Sequence, residues 1–169
     1  MLDTRELGRR PGSQREVSRS VPAPPDLGIE VLSVPEGAPV ELDLRLEAVM
    51  EGVLVTGTAQ AGLAGECARC LDPIEDDIVA RFQELFVYDD SEADEEDEGV
   101  SRLEGDMVDL EPLLRDAVVL ALPFQPLCEE DCPGLCTECG ARLKDDPDHT
   151  HGAPIDPRWA GLAALQDED

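Results

Sequence analysis

The six cysteines of this chain fall in two places, and their spacing constrains the fold more than any other feature. Two of them form an isolated Cys-x-x-Cys pair, Cys67 and Cys70. The others lie in one later stretch: Cys128, Cys132, Cys136 and Cys139. A two-residue gap lets a tight turn aim both sulfurs at one metal ion, about 2.3 Å away. We therefore expect the isolated pair to meet the later stretch, with the rest of the chain as scaffold.

Two histidines, His149 and His151, follow the cysteine-rich stretch and bring the number of candidate ligands to eight. Eight ligands suffice for two tetrahedral sites, and Cys and His are the usual ligands of structural zinc. Disulfides are rare in the cytoplasm, where we expect this chain, so zinc is favoured over disulfide bonding. The alternatives are an iron–sulfur cluster, a redox dithiol or inert thiols and, for the histidines, two exposed side chains without a metal.

Spacing alone leaves the division of these ligands open. The preferred division makes two four-ligand sites, of which the first joins the isolated pair to the start of the later stretch: Cys67, Cys70, Cys128 and Cys132. The second is a compact terminal knuckle: Cys136, Cys139, His149 and His151. The alternative is one ribbon-like site made by the two Cys-x-x-Cys pairs, with the remaining cysteines and both histidines unused.

The charge of the chain disfavours broad, sequence-independent RNA binding. With 13 basic against 40 acidic residues, its net charge is −27, which repels a phosphate backbone. The exception is the first twenty residues, which are net positive and carry five arginines: Arg5, Arg9, Arg10, Arg15 and Arg19. We expect this segment to be either a flexible leader or an arm that contacts a partner or rRNA.

The length of 169 residues fits one domain with irregular extensions. We divide it into a basic, proline-ended leader (1–26), an α+β core (27–127) and a cysteine-rich zinc knuckle with a short C-terminal helix (128–169). Within the core, 89–99 is strongly acidic and predicts a disordered loop. Near the end, Asp156-Pro157 is typical of a helix start, and Trp159 is interpreted as a packing anchor of that helix. No stretch approaches the roughly 20 apolar residues of a membrane span.

The core pattern predicts an antiparallel β meander packed on one amphipathic helix. Val40–Ala48 alternates apolar and polar residues, as a half-buried strand does, and Val53–Thr58 should pair with it. Ile29–Val34 and Ile78–Tyr88 are further strand candidates, the latter with a bulge near Glu84. Apolar residues at helical spacing begin at Leu110 and end at Leu122. Asp109 is the expected N-cap and Pro123 the expected stop.

Several segments together resemble the YceD family, the large ribosomal RNA subunit accumulation proteins. They are Glu66–Leu71, Arg115–Ala117 with Leu122-Pro123, Leu127–Cys136, Cys139-Gly140, and the short matches Asp3–Leu7 and Asp156–Trp159. The resemblance implies a bacterial ribosome assembly factor that supports accumulation or processing of large-subunit ribosomal RNA. It also implies a partner in the immature large subunit or its basic ribosomal proteins. Where many members have a Cys-x-Cys pair, this chain has His149-Thr150-His151.

The sequence offers no sign of catalysis such as a nucleophile with its base, a phosphate-binding glycine loop or an open metal position. We therefore expect a non-enzymatic protein. Two other functions stay open: a zinc-stabilised protein-interaction module without a ribosomal role, and a dithiol redox protein. The latter would use Cys67 and Cys70, with Arg69 lowering a thiol pKa, but the βαβ context expected around such a motif is absent.

Overall fold

A computed structural model describes residues 1–88 and 100–151, and in them one helix packs on a mostly antiparallel β-structure. The elements in chain order are β1 (Leu2–Asp3), β2 (Gln14–Pro22), β3 (Leu27–Ile29), β4 (Leu32–Val34), β5 (Pro39–Ala48), β6 (Gly52–Glu66), β7 (Pro73–Val87), β8 (Met107–Val108) and α1 (Glu111–Ala121). This arrangement confirms the predicted α+β class. The division of the chain into leader, core and knuckle stays a prediction.

The main sheet is built around β6, which pairs with β5 on one side and with β7 on the other. Beyond β5 lies β2, and the small β3–β4 hairpin pairs with the end of β6 through Leu32 and Ser33. A separate two-stranded sheet joins β1 to β8, antiparallel. The strands β5, β6 and β7 follow one another as an up-and-down meander, as the alternating pattern predicts.

The hydrophobic core lies on one face of this sheet. The alternating residues of β5 from Val40 to Ala48 are all buried, which confirms the predicted inner face. Opposite Leu44, the register places Gly57 and Phe82. A Cβ atom on Gly57 would lie 2.6 Å from Leu44 Cδ2 and 3.0 Å from Phe82 Cε2, so the glycine makes room for both side chains.

Two strand predictions are wrong in detail. The single strand predicted over Ile29–Val34 is a hairpin of two three-residue strands, because the chain reverses between Ile29 and Leu32. The bulge predicted near Glu84 is absent, since β6 and β7 pair in one unbroken register from Gly52↔Val87 to Glu66↔Pro73. Glu84 takes an inner-face position near the end of the strand and is only half-buried there.

The N-terminal segment is not a flexible leader over its whole length. Gln14–Pro22 forms β2 and pairs with β5 residue by residue, from Gln14↔Glu47 to Pro22↔Pro39. Pro22 fits because β2 is an edge strand and the proline ends it. In this strand only Val17 is buried, so the pattern lacks the apolar alternation that reveals a strand in sequence.

Helix α1 covers the sheet with one face, as predicted. Leu114 and Val118 are buried, and Leu110, Leu113 and Ala117 pack against the core. The expected N-cap is displaced by one residue, because Leu110 occupies that position. Asp109 still contributes, since the N–H of Glu111 donates to its carboxylate at 3.2 Å.

Three predictions fall outside the described residues: the acidic loop at 89–99, the helix that begins near Asp156, and the packing role of Trp159. Among the described helical residues, no helix is long and apolar enough to cross a membrane.

Candidate metal centres

The first Cys-x-x-Cys turn is the connection between β6 and β7. Cys67 follows the last residue of β6, and the chain turns back so that the N–H of Leu71 donates to Cys67 O at 2.9 Å. The N–H of Cys67 donates to Asp72 O at 2.8 Å and closes the turn. Leu71 has a φ of +61°, a left-handed conformation. The prediction that this knuckle lies between two strands is confirmed.

The second Cys-x-x-Cys turn repeats this hydrogen-bond pattern. The N–H of Gly140 donates to Cys136 O at 2.8 Å, and the N–H of Cys136 donates to Ala141 O at 2.7 Å. Gly140 has a φ of +73°, which confirms the positive φ predicted for it. Two segments that lie in different parts of the fold thus form the same turn. In each, the residue after the second cysteine has a left-handed backbone conformation.

This left-handed position predicts opposite effects for two substitutions. Leu71 is 58% exposed, so its side chain contributes little packing, whereas a left-handed Leu costs about 1–2 kcal/mol. We expect Leu71→Gly to raise the free energy of unfolding by up to about 1 kcal/mol, after the entropy cost of glycine. Gly140→Ala should lower the stability of the second knuckle by about 1 kcal/mol. Thermal unfolding with and without a metal chelator, followed by circular dichroism, measures both effects. A Leu71→Gly protein that is less stable than the wild type would contradict this prediction.

The first candidate centre is completed by the chain that leaves α1. The N–H of Ala68 donates to Pro126 O at 2.8 Å, which holds this segment against the first knuckle. Cys67 Sγ lies 3.7 Å from Cys132 Sγ, and Cys70 Sγ lies 3.6 Å from Cys128 Sγ. A zinc tetrahedron with bonds of about 2.3 Å has edges of about 3.8 Å, so these separations fit a four-sulfur site.

The second candidate centre joins the second knuckle to the two histidines. The ring nitrogen His149 Nε2 lies 3.2 Å from Cys139 Sγ and 2.9 Å from His151 Nε2. His151 Nε2 lies 3.2 Å from Cys139 Sγ, and Cys136 belongs to the same cluster. In each of the two groups, all four ligand atoms lie within 4.8 Å of one another. These are the two groups of the preferred division, whereas metal ligation by them stays a prediction.

The two candidate centres differ in burial. In the first, Cys67, Cys70 and Cys132 are buried, with Ile74, Leu127 and Leu135 packed against them, and Cys128 is exposed. In the second, Cys139 and His151 are exposed. A ligand lost from the first centre therefore leaves buried polar sulfur without a partner, which costs more than the same loss at the surface.

The thiol pKa values show how the centres would accept a metal ion. Burial raises the pKa of Cys67, but backbone N–H groups of Cys70, Arg69 and Cys128 outweigh it and lower the pKa to about 6. The N–H groups of Cys139 and Glu138 lower the pKa of Cys136 to about 6. These lowered pKa values favour the thiolate form of Cys67 and Cys136 at neutral pH, the form that binds metal.

Two thiols of the first centre, Cys70 and Cys128, resist ionisation. The N–H of Asp72 lowers the pKa of Cys70, but burial and the neighbouring thiols outweigh it and raise the pKa to about 12. Burial also raises the pKa of Cys128. Filling this centre with metal must therefore release protons from these two cysteines.

Ion pairs link the two knuckles, and sequence reasoning missed them. Arg142 Nη1 lies 2.7 Å from Asp72 Oδ1, and Lys144 Nζ lies 3.0 Å from Glu129 Oε1. Both acids neighbour ligands of the first centre, and both bases follow the second knuckle. Their spacing in sequence gives no signal, because charged residues are common everywhere in this chain.

Arg69 acts differently from the prediction. Its guanidinium donates to Cys132 O at 2.9 Å, and its backbone N–H donates to Cys67 Sγ at 3.5 Å. The lowering of the Cys67 pKa by Arg69 therefore comes from the backbone N–H.

Three of the five N-terminal arginines contact the chain itself. Arg5 pairs with Asp3, Arg15 Nη2 lies 2.7 Å from Glu6 Oε2, and the Arg9 guanidinium lies 4.4 Å from the centroid of the Tyr88 ring. Arg10 and Arg19 are exposed, and neither side chain makes a hydrogen bond or ion pair within residues 1–88 and 100–151. A contact between these arginines and rRNA stays a prediction.

Comparison with known proteins places the chain in a family. The family model described as large ribosomal RNA subunit accumulation protein YceD matches residues 55–166. An uncharacterised protein of Mycobacterium tuberculosis is 48% identical over 166 residues, which cover 97% of this chain and 80% of that protein. YlbN of Bacillus subtilis is 26% identical over 133 residues, which cover 78% of this chain and 77% of YlbN.

A plant protein also matches. The maize protein named large ribosomal RNA subunit accumulation protein YCED homolog 1, chloroplastic, is 26% identical over 129 residues, 59% of this chain and 41% of its own length. No solved structure matches the chain. The match to the family model includes both Cys-x-x-Cys turns and most of β6, and it confirms the resemblance that the motifs indicate. The chain belongs to the YceD family, the large ribosomal RNA subunit accumulation proteins.

Proposed function

We propose that this protein is a non-enzymatic ribosome assembly factor that supports accumulation or processing of large-subunit ribosomal RNA. The observation that carries this proposal is family membership, because the family is named for large-subunit rRNA accumulation. The maize relative carries the same name. A role in ribosome biogenesis is therefore the function that the comparisons suggest, and assembly in the cytoplasm, without catalysis, is our proposal.

The proposal includes two structural zinc ions. One would be held by four thiolates, at Cys67, Cys70, Cys128 and Cys132. The other would be held by two thiolates and two imidazoles, at Cys136, Cys139, His149 and His151. Zinc accepts both donor sets, and four protein ligands leave no open position for a substrate, as in structural sites. When bound, one zinc ion would cross-link the β6–β7 turn to the segment after α1, and the other would join the second knuckle to the two histidines.

The partner class follows from charge. A protein of net charge −27 is repelled by the phosphates of bare RNA, but its charge is complementary to that of the basic proteins that bind rRNA. We therefore propose that the chain docks on basic ribosomal proteins of the immature large subunit. The exposed arginines Arg10 and Arg19 would provide the direct contact with rRNA.

Capture from growing cells tests this function. A tagged chain, expressed at its natural level, is purified under mild salt, the RNA is sequenced and the proteins are identified. We expect enrichment of precursor large-subunit rRNA and its ribosomal proteins over a tagged acidic control protein. Arg10→Gln combined with Arg19→Gln should weaken RNA recovery more than protein recovery. Recovery of one protein partner without rRNA would contradict the proposal and support a zinc-stabilised interaction module instead.

One observation favours a dithiol redox protein as the second candidate. The pKa of Cys67 is lowered to about 6 while that of its neighbour Cys70 is raised to about 12, an asymmetry that redox pairs share. Against it, Cys67 is buried and unable to meet a substrate disulfide. A redox protein would lose function in Cys67→Ser without losing its fold or its zinc, and a structural site would lose all three.

A further inference from the structure

Strand β7 leaves most of one edge open. It has 15 residues and pairs along its full length with β6, on one side only. On the other side, within the described part of the chain, its only partner is the segment around Arg102, which forms a single parallel bridge with Val87. The chain thus pairs with this edge only at Val87, the last residue of the strand, within the described residues.

The hydrogen bonds at that bridge show which backbone groups face the open side. The N–H of Val87 donates to Ser101 O, and the N–H of Leu103 donates to Val87 O, both at 2.9 Å. The N–H of Tyr88 points the other way and donates to Glu51 O at 3.0 Å. Because backbone direction alternates along a strand, the residues in step with Val87 also face outward. Apart from Leu85, which lies next to the bridge, these are Glu75, Asp77, Val79, Arg81 and Gln83.

Of these outward N–H groups, one is already satisfied within the strand. The N–H of Asp77 donates to the Asp76 carboxylate at 2.8 Å. Those of Val79, Arg81 and Gln83 have no hydrogen-bond partner among residues 1–88 and 100–151. Val79 is also 55% exposed, a large apolar side chain at the centre of the edge. Unpaired strand backbone beside exposed apolar surface is a template for an added strand.

The charges along this edge select the strand that can be added. Between residues 75 and 83 lie three acids, Glu75, Asp76 and Asp77, and one base, Arg81. A second copy of this chain, with its net charge of −27, would bring acids against acids, and so would the acidic stretch at 89–99. Like charges across paired strands are destabilising, whereas opposite charges stabilise the pair. A basic, extended segment of another protein would instead place opposite charges across the paired strands.

We infer that the open edge of β7, from Glu75 to Gln83, binds an extended basic segment of a partner protein by strand addition. Main-chain hydrogen bonds to Val79, Arg81 and Gln83 supply the binding, and Glu75, Asp76 and Asp77 supply the preference for a basic sequence. This inference rests on the proposed function for its partner class, the basic ribosomal proteins, and it names the surface that would hold them.

The test uses the full zinc-loaded chain and a fluorescent peptide of about ten residues that alternates lysine and valine. Fluorescence anisotropy measures its binding, and the control is the same peptide methylated at every backbone nitrogen. Methylation keeps the charges and removes the backbone donors. We expect it to weaken binding by at least about ten-fold. Val79→Pro, which removes an outward N–H without touching the β6 ladder, should weaken binding similarly, whereas Val79→Thr should not.

Several results would overturn the inference. Equal binding of both peptides would mean that charge alone attracts them, and binding of neither peptide would mean that the edge is closed. Unchanged binding in a Val79→Pro protein with normal circular dichroism would place the peptide elsewhere. The methylated peptide tests the wild-type chain, so the conclusion does not depend on the variant folding. Recovery of precursor rRNA from cells together with failed peptide binding would contradict this inference but still support the proposed function.

Discussion

Cys67→Ser is expected to release one zinc ion and to unfold the region around the first centre. Cys67 is buried and its Sγ lies 3.7 Å from that of Cys132, so serine leaves a buried hydroxyl where the tetrahedron needs a thiolate. Zinc binding and folding share one free energy in such sites. We expect the free energy of unfolding to fall by more than about 4 kcal/mol, as for other losses of a structural metal.

The measurement for Cys67→Ser combines zinc content with amide hydrogen exchange. Protection should be lost in the β6–β7 turn and in the segment from Pro126 to Cys132. The matched control is Cys139→Ser at the exposed second centre, which should release zinc there while the sheet and the first centre keep their protection. A Cys67→Ser protein with its zinc and its protection intact would refute the structural role.

The second large effect concerns the core of the sheet. Leu46 is completely buried on the inner face of β5, between Arg15 of β2 and Val55 of β6. Leu46→Ala removes buried apolar surface and leaves a cavity, and we expect it to lower the free energy of unfolding by about 2–5 kcal/mol.

Urea unfolding in excess zinc, followed by circular dichroism, measures the Leu46→Ala effect without interference from metal loss. The control is Leu120→Ala on the outer side of α1, where the side chain is 85% exposed. That variant should stay within about 0.5 kcal/mol of the wild type. Similar losses of unfolding free energy in both variants would contradict the placement of Leu46 in the core and of Leu120 at the surface.

How much of the fold the sequence predicts depends on how far each strand is buried. Val40–Ala48 alternates strictly because one face is buried and the other exposed, so its pattern reveals the strand. Gln14–Pro22 escaped prediction because its place at the edge leaves only Val17 buried. Its pairing with β5 is a long-range contact, which no local sequence pattern predicts.

The candidate site shows the same division between local and long-range information. The spacing of Cys136, Cys139 and Gly140 predicts the knuckle turn and its positive φ, because that turn is local. The grouping of Cys67 and Cys70 with Cys128 and Cys132 depends on the docking of Pro126 against Ala68, which sequence spacing leaves open. The preferred grouping matches the two clusters of ligand atoms in the structure, and metal binding by them stays a prediction. The ion pairs of Arg142 and Lys144 could not be predicted, because several acids lie near both residues in sequence.

Native mass spectrometry of the purified chain, with zinc counted per molecule, tests most directly the claim that two separate four-ligand centres exist. We predict two zinc ions in the wild-type chain and one each in Cys67→Ser and Cys139→Ser. The double variant should bind none. A single zinc ion in the wild type, lost in both single variants, would mean that the two Cys-x-x-Cys turns share one site and would contradict the account.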